Sequence, residues 1–128
     1  MNQLQATIIE INNVESLHSL LLNFGKQNIH ILTLELDPNL TIGSVVKLRV
    51  KSTDIAIAKD ILGLLSFDNQ LDAKITAINS GQILSSIRIH IEGFELESII
   101  SKEASSCMRL EVGDTIKVLI QASEISIC

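Results

Sequence analysis

The chain has 128 residues, 46% hydrophobic and 20% charged, the composition of a globular protein and not of a disordered one. Its net charge is -5, and residues 65–128 hold nine Asp/Glu against five Lys/Arg. It is acidic, shows no Lys/Arg cluster of the kind that grips phosphates, and has no Trp or Tyr to stack on single strands, which argues against a nucleic-acid binder.

No basic stretch followed by an apolar one opens the sequence, and no apolar run reaches the roughly 18 residues of a membrane helix. The expectation is a cytoplasmic protein that does not engage a membrane. Its two cysteines, Cys107 and Cys128, are then expected as reduced thiols, Cys107 packed beside Met108. Ile, Leu and Val dominate the apolar set, and β-branched residues favour strands.

In the first unit, Asn2 to Asn12 reads as a strand with Leu4, Ala6 and Ile8 on one face. Asn12-Asn13 is a turn signal. Leu17 to Asn23 is a second strand, and Gly25 to Asn28 turns the chain into a third, Ile29 to Leu36. Asp37-Pro38-Asn39 stops it, because proline cannot donate to a ladder. Val45 to Val50 and Ile55 to Ala58 complete the unit. Lys59 to Asp68 joins it to the next, and Ile61, Leu62, Leu64 and Leu65 predict a packed connector, not a flexible linker.

Asn69 to Asn79 then repeats the opening at an offset of 67, with seven identities in eleven positions. Ser80-Gly81-Gln82 turns into the cleanest strand, where Ile83, Ser85, Ile87, Ile89 and Ile91 alternate with more polar residues. Glu92-Gly93 is a hairpin turn, and Phe94 to Ile100 returns. Ser101 to Met108 predicts a short helix with Ser101 as N-cap. Val112 to Ile127 repeats Ile42 to Ile57, aligning Gly113 with Gly43 and Lys117 with Lys47. The offset there is 70, so the three extra residues fall at the helix.

The expected fold is all-β, with two small OB-like five-stranded barrels in tandem and a short helix in the second. The expected boundaries are 1–60, a connector at 61–68, and 69–128. Units of about 60 residues bury little surface alone, so a shared core or an oligomer is expected. His18, His30 and His90 lack metal-ligand spacing, and no nucleophile pairs with a base, so neither a metal centre nor an enzyme is expected.

Four stretches carry a family likeness: Asn2 to Ile8 repeated at Asn69 to Ile75, Ile100 to Ser105, Leu110 to Ile116, and Ile120 to Ile125. In that order the chain resembles a tandem TOBE domain, the di-mop type of molybdate-binding protein with two molybdenum-pterin-binding (Mop) repeats. The resemblance implies binding of a tetrahedral oxoanion, molybdate or tungstate, for intracellular storage, buffering or homeostasis, with no catalytic cofactor. It also implies a homo-oligomer, a trimer being favoured, with sites at interfaces.

The positions it implies for the oxoanion are Lys51, Ser52 and Thr53 in the first unit. In the second they are Ser66, Asn69, Ser101, Ser105, Gln121, Ala122 and Ser123. Such an anion needs N–H groups, hydroxyls and cations around it. Four positions of the second unit depart from the family pattern: Asp68 replaces an arginine, Ser101 a threonine, Gln121 a lysine, and Ala104 a serine. The lost arginine and lysine motivate the alternative of a ligand-free oligomerisation or regulatory TOBE module of a transporter or regulator system. Without the family, Lys51 reads as a solvated strand-end lysine, Ser101 as a plain helix cap, and Asp68 and Asp72 as solvated carboxylates.

Overall fold

A computed structural model describes residues 2–128. The strands are β1 (Asn2–Val14), β2 (Leu17–Phe24), β3 (Gln27–Thr33), β4 (Val45–Val50), β5 (Ala56–Ala58), β6 (Asn69–Ser80), β7 (Leu84–Ile91), β8 (Phe94–Ser101), β9 (Thr115–Ile120) and β10 (Ser126–Ile127). A helix, α1 (Lys102–Cys107), follows β8, and single 3-10 turns at Ser52–Asp54 and Ala122–Glu124 precede β5 and β10. The chain forms two curled five-stranded sheets, ordered β10-β4-β1-β2-β3 and β5-β9-β6-β7-β8.

Each sheet borrows its last strand from the other half of the sequence. β5 pairs with β9 (Ile57 opposite Val118), and β10 pairs with β4 (Ser126 opposite Arg49). The expected fifth strand therefore exists but completes the opposite sheet. The turn Ser52–Asp54 packs on β8 and the turn Ala122–Glu124 on β3, so each crossing segment lies against the far edge of the other half's sheet.

The repeat extends to irregularities. The β1–β2 register shifts between Ile8 and Glu10, and the β6–β7 register shifts between Ile75 and Ala77, 67 residues on. At each bulge a glycine with positive φ (Gly43 at 95°, Gly113 at 96°) donates its N–H to the bulged residue's carbonyl, Ile8 at 2.7 Å and Ile75 at 2.8 Å. A side chain there would be strained, which explains a glycine at both positions.

Alternation along the strands buries Leu4, Ala6, Ile8, Ile29, Ile31 and Leu48 from the first half, and Leu71, Ile75, Ile87, Ile89 and Val118 from the second, in one continuous core. The shared core expected from unit size is present. Phe24 and Phe94 stack between the halves with ring centroids 5.5 Å apart.

Several local expectations are corrected. β1 runs through Asn12-Asn13 to Val14, and the turn falls at Glu15-Ser16 with Glu15 at φ 55°. β3 ends at Thr33, not Leu36. Cys107 is exposed, because the inward face of α1 presents Ser105 instead. The connector is not packed within one chain: Leu62 is 96% and Leu64 102% exposed. Lys59 does anchor its start, at 3.0 Å from Asp114 Oδ2 and 2.8 Å from the Arg109 carbonyl.

Candidate functional site

Strand exchange brings the two crossing segments together. Arg49 sits opposite Ser126 in the ladder, so the end of β4 and the turn before β10 converge. Arg49, Lys51, Asp54, Ser123 and Glu124 line one cleft of about 530 Å³. Lys51 from the first half and Ser123 from the second, expected on separate units, therefore face the same space.

Each crossing begins with an extended residue, Lys51 (φ -72°, ψ 143°) or Gln121 (φ -69°, ψ 139°), that makes no side-chain cap. The first N–H groups of a 3-10 turn have no acceptor inside it. In the first half, the Ser52 and Thr53 N–H groups have no acceptor among the described residues. They follow Lys51 in the chain, and Lys51 and Thr53 are both exposed. The Ser52 hydroxyl donates to Glu97 Oε1 at 3.1 Å.

In the second half the matching N–H, that of buried Ala122, donates to Asp68 Oδ2 at 3.2 Å. Asp68 is exposed, as a solvated carboxylate would be, and also accepts a hydrogen bond at this step. Ser123 is exposed and Gln121 partly so.

Asn69 serves a different purpose. It is 1% exposed; its Oδ1 accepts the His30 N–H at 2.7 Å and its Nδ2 donates to the His30 carbonyl at 2.9 Å. Asn2 does the same to Glu97, at 2.7 and 2.9 Å. β3 and β8 are edge strands, and each asparagine supplies the partner that a neighbouring strand would give.

The remaining expected residues lie apart from the cleft. Ser101 Oγ accepts the Ala104 N–H at 3.0 Å and caps α1, as expected. Ser105 is 7% exposed, facing inward, and Ser66 is exposed on the connector. A shallow pocket at the start of α1 is lined by Ser101, Lys102, Glu103 and Ser106. Within one chain, then, Lys51 and Ser123 share a cleft that Ser101 and Ser105 do not line.

Sequence reasoning missed Glu97 and Arg49. Glu97 lies on the less buried face of β8, where the Ser86 hydroxyl (2.7 Å) and then that of Ser52 hold its carboxyl below the usual glutamate value. A carboxylate on a strand's polar face carries no sequence signal of such contacts. Arg49 becomes visible only once β10 is known to pair with β4. Among the described residues no three His, Cys, Asp or Glu side chains group as a metal site. No helix among them is long and apolar enough to cross a membrane.

Residues 65–127 match the family profile of the TOBE domain. They form a TOBE domain. The whole chain superimposes on a solved structure of the cytoplasmic molybdate-binding protein ModG, crystallised with molybdate bound. The TM-score is 0.92 with 22% identity, covering 98% of this chain and 94% of that one. That likeness establishes the tandem fold for both halves. A molybdate-binding protein from Sporomusa ovata is similar over 52% of this chain and 98% of its own length, with a TM-score of 0.50 and 26% identity. No curated protein sequence matches the chain. The first half repeats the bulge, glycine and crossing turn of the second, so the same architecture occurs twice.

Proposed function

We propose that this protein binds molybdate or tungstate and serves as a cytoplasmic store or buffer for the oxoanion. The observation that carries the reading is the cleft where Arg49 and Lys51 meet Ser123, lined also by Asp54 and Glu124, with the acceptor-free N–H groups of Ser52 and Thr53 next along the chain from Lys51. A tetrahedral dianion offers acceptors to N–H groups, hydroxyls and cations alike, and a local donor set decides binding even on a chain of net charge -5. The resemblance to two molybdate-binding proteins supports the choice of oxoanion. The mechanism is reversible coordination without bond making, so the protein is a carrier and not a catalyst.

The complete site combines Lys51, Ser52 and Thr53, or Gln121, Ala122 and Ser123, with Ser66, Ser101 and Ser105 of another copy, in a homo-oligomer for which a trimer is favoured. Asn69 takes part by tying the start of β6 to β3. Exposed apolar residues support association. Leu17 and Leu84 recur at the repeat offset, as do Ile42 and Val112, and all four are at least 44% exposed, alongside Leu62 and Leu64. The domain organisation we favour is two repeats, 1–60 and 69–128, joined by 61–68 and interlocked by β5 and β10.

A second reading, a ligand-free TOBE module, is favoured by the engagement of the Ser52 hydroxyl and the Ala122 N–H with the chain's own carboxylates. Thermal denaturation with and without molybdate separates the two. A ligand at a hundred times its Kd stabilises the fold by about 2.7 kcal/mol, a shift of several degrees. No shift with molybdate or tungstate favours the second reading.

A further inference from the structure

Both crossing segments already hold a carboxylate of the chain itself. In the second half, Asp68 Oδ2 takes the N–H of Ala122. In the first, Glu97 Oε1 takes the hydroxyl of Ser52, while its other oxygen accepts from Ser86. The two come from different elements, Asp68 from the connector and Glu97 from β8, and they are not equivalent under the repeat. Position 97 corresponds at the offset of 67 to His30, not to an acid.

A carboxylate and an oxoanion compete for the same donors, because each presents negatively charged acceptor oxygens. Each also repels the other over the few ångströms that would separate them. Glu97 is fixed in place: the buried Asn2 amide clamps its backbone N–H and carbonyl, and two hydroxyls hold its carboxylate charged. Asp68 meets the crossing that starts with Gln121, which brings no lysine of its own.

We infer that Asp68 and Glu97 are affinity-limiting residues that occupy donors of the two crossing segments and keep the protein's hold on oxoanions weak. The inference rests on the oxoanion-binding reading. It deepens that reading by making the protein one that releases its ligand readily, as a buffer must. It also accounts for two unequal halves: the segment after Lys51 keeps its first N–H groups free, whereas the segment after Gln121 has its first N–H taken and brings no lysine of its own.

Calorimetric titration of sodium molybdate into the wild type, Asp68→Asn, Glu97→Gln and the double variant tests this. Both substitutions keep side-chain size, remove the charge and turn one acceptor oxygen into an NH2 group that a hydroxyl can accept from; the Asn2 clamp to residue 97 is to its backbone, so the fold is retained. The expected result is at least tenfold tighter binding for each single variant, and more for the double. Unchanged or weaker binding in both variants, with the wild type binding, overturns the inference and leaves the oxoanion reading standing. Binding by the double variant alone supports the inference and overturns the reading of the native chain as a store. Binding by none overturns both.

Discussion

Asn69 and His30 exchange two hydrogen bonds, 2.7 and 2.9 Å, between halves of the chain that each supply one partner. The pair Asn2 and Glu97 repeats them at the same two lengths, with the halves interchanged. Neither edge strand can pair further along these groups, because a buried amide fills the place of the next backbone. Asn69→Ala leaves the His30 N–H and carbonyl without their partners, at a cost of about 2 kcal/mol. Urea denaturation checks this, with Gln3→Ala, on the exposed face of β1, as a control that changes stability by less than about 0.5 kcal/mol.

Glu92 joins the halves at a second place. Its carboxylate accepts the Lys26 N–H at 2.8 Å and the Gln27 amide at 3.0 Å. The first bond, and then the second, holds its pKa below the ordinary 4.5. Because the folded value is depressed, this contribution is complete above about pH 4.5 and is lost as pH falls through the lower folded value. Thermal midpoints measured from pH 7 to pH 3 should fall less steeply in Glu92→Gln than in the wild type.

Gly25 makes that contact possible. Its φ is +61°, and a Cβ there would collide with the Glu92 carboxylate and approach its Cβ to 2.9 Å. Gly25→Ala therefore combines left-handed strain with a clash, and should destabilise the fold by more than about 1 kcal/mol. Differential scanning calorimetry measures it, and an unchanged midpoint would show that the Glu92 latch does not bear on stability.

Lys51 lines the cleft and directly precedes the acceptor-free N–H groups of Ser52 and Thr53. A hydrogen bond to a charged partner is worth about 1.5–3 kcal/mol, so Lys51→Ala should weaken molybdate binding roughly tenfold to a hundredfold with the fold intact. Unchanged affinity moves the site elsewhere.

The connector leucines give a separate test. Two leucines at 96% and 102% exposure on a ten-residue apolar joint are expected to contact a second copy. Light scattering should show the wild type as an oligomer and Leu62→Gln/Leu64→Gln as a smaller species. A monomeric wild type would remove the interface between copies from the proposed site.

Much of the fold was legible in the alternation of Leu4, Ala6 and Ile8 and its copy at Leu71, Ala73 and Ile75, since a period of two with one apolar face specifies strands. Ser101 as N-cap was legible for the same local reason. The exchange of β5 and β10 was not, because Ala56–Ala58 alternates identically whichever β-strand it joins. The bulges after Ile8 and Ile75 were hidden too, since one extra residue leaves no mark on composition. Leu62 and Leu64 read as packed because apolarity signals burial without saying against what. At the candidate site, Lys51 and Ser123 could be named from family position, but their convergence follows from strand exchange. Glu97 could not be found at all, as its role depends on Ser52 and Ser86 arriving from elsewhere.

The central claim is that this tandem TOBE fold binds a tetrahedral metal oxoanion. Isothermal titration of the purified 128-residue chain with molybdate and tungstate, using sulfate and phosphate as controls, tests it most directly. The account predicts saturable heat with molybdate or tungstate that exceeds the response to sulfate. No heat with either metal oxoanion, from chain shown to be folded, would contradict it.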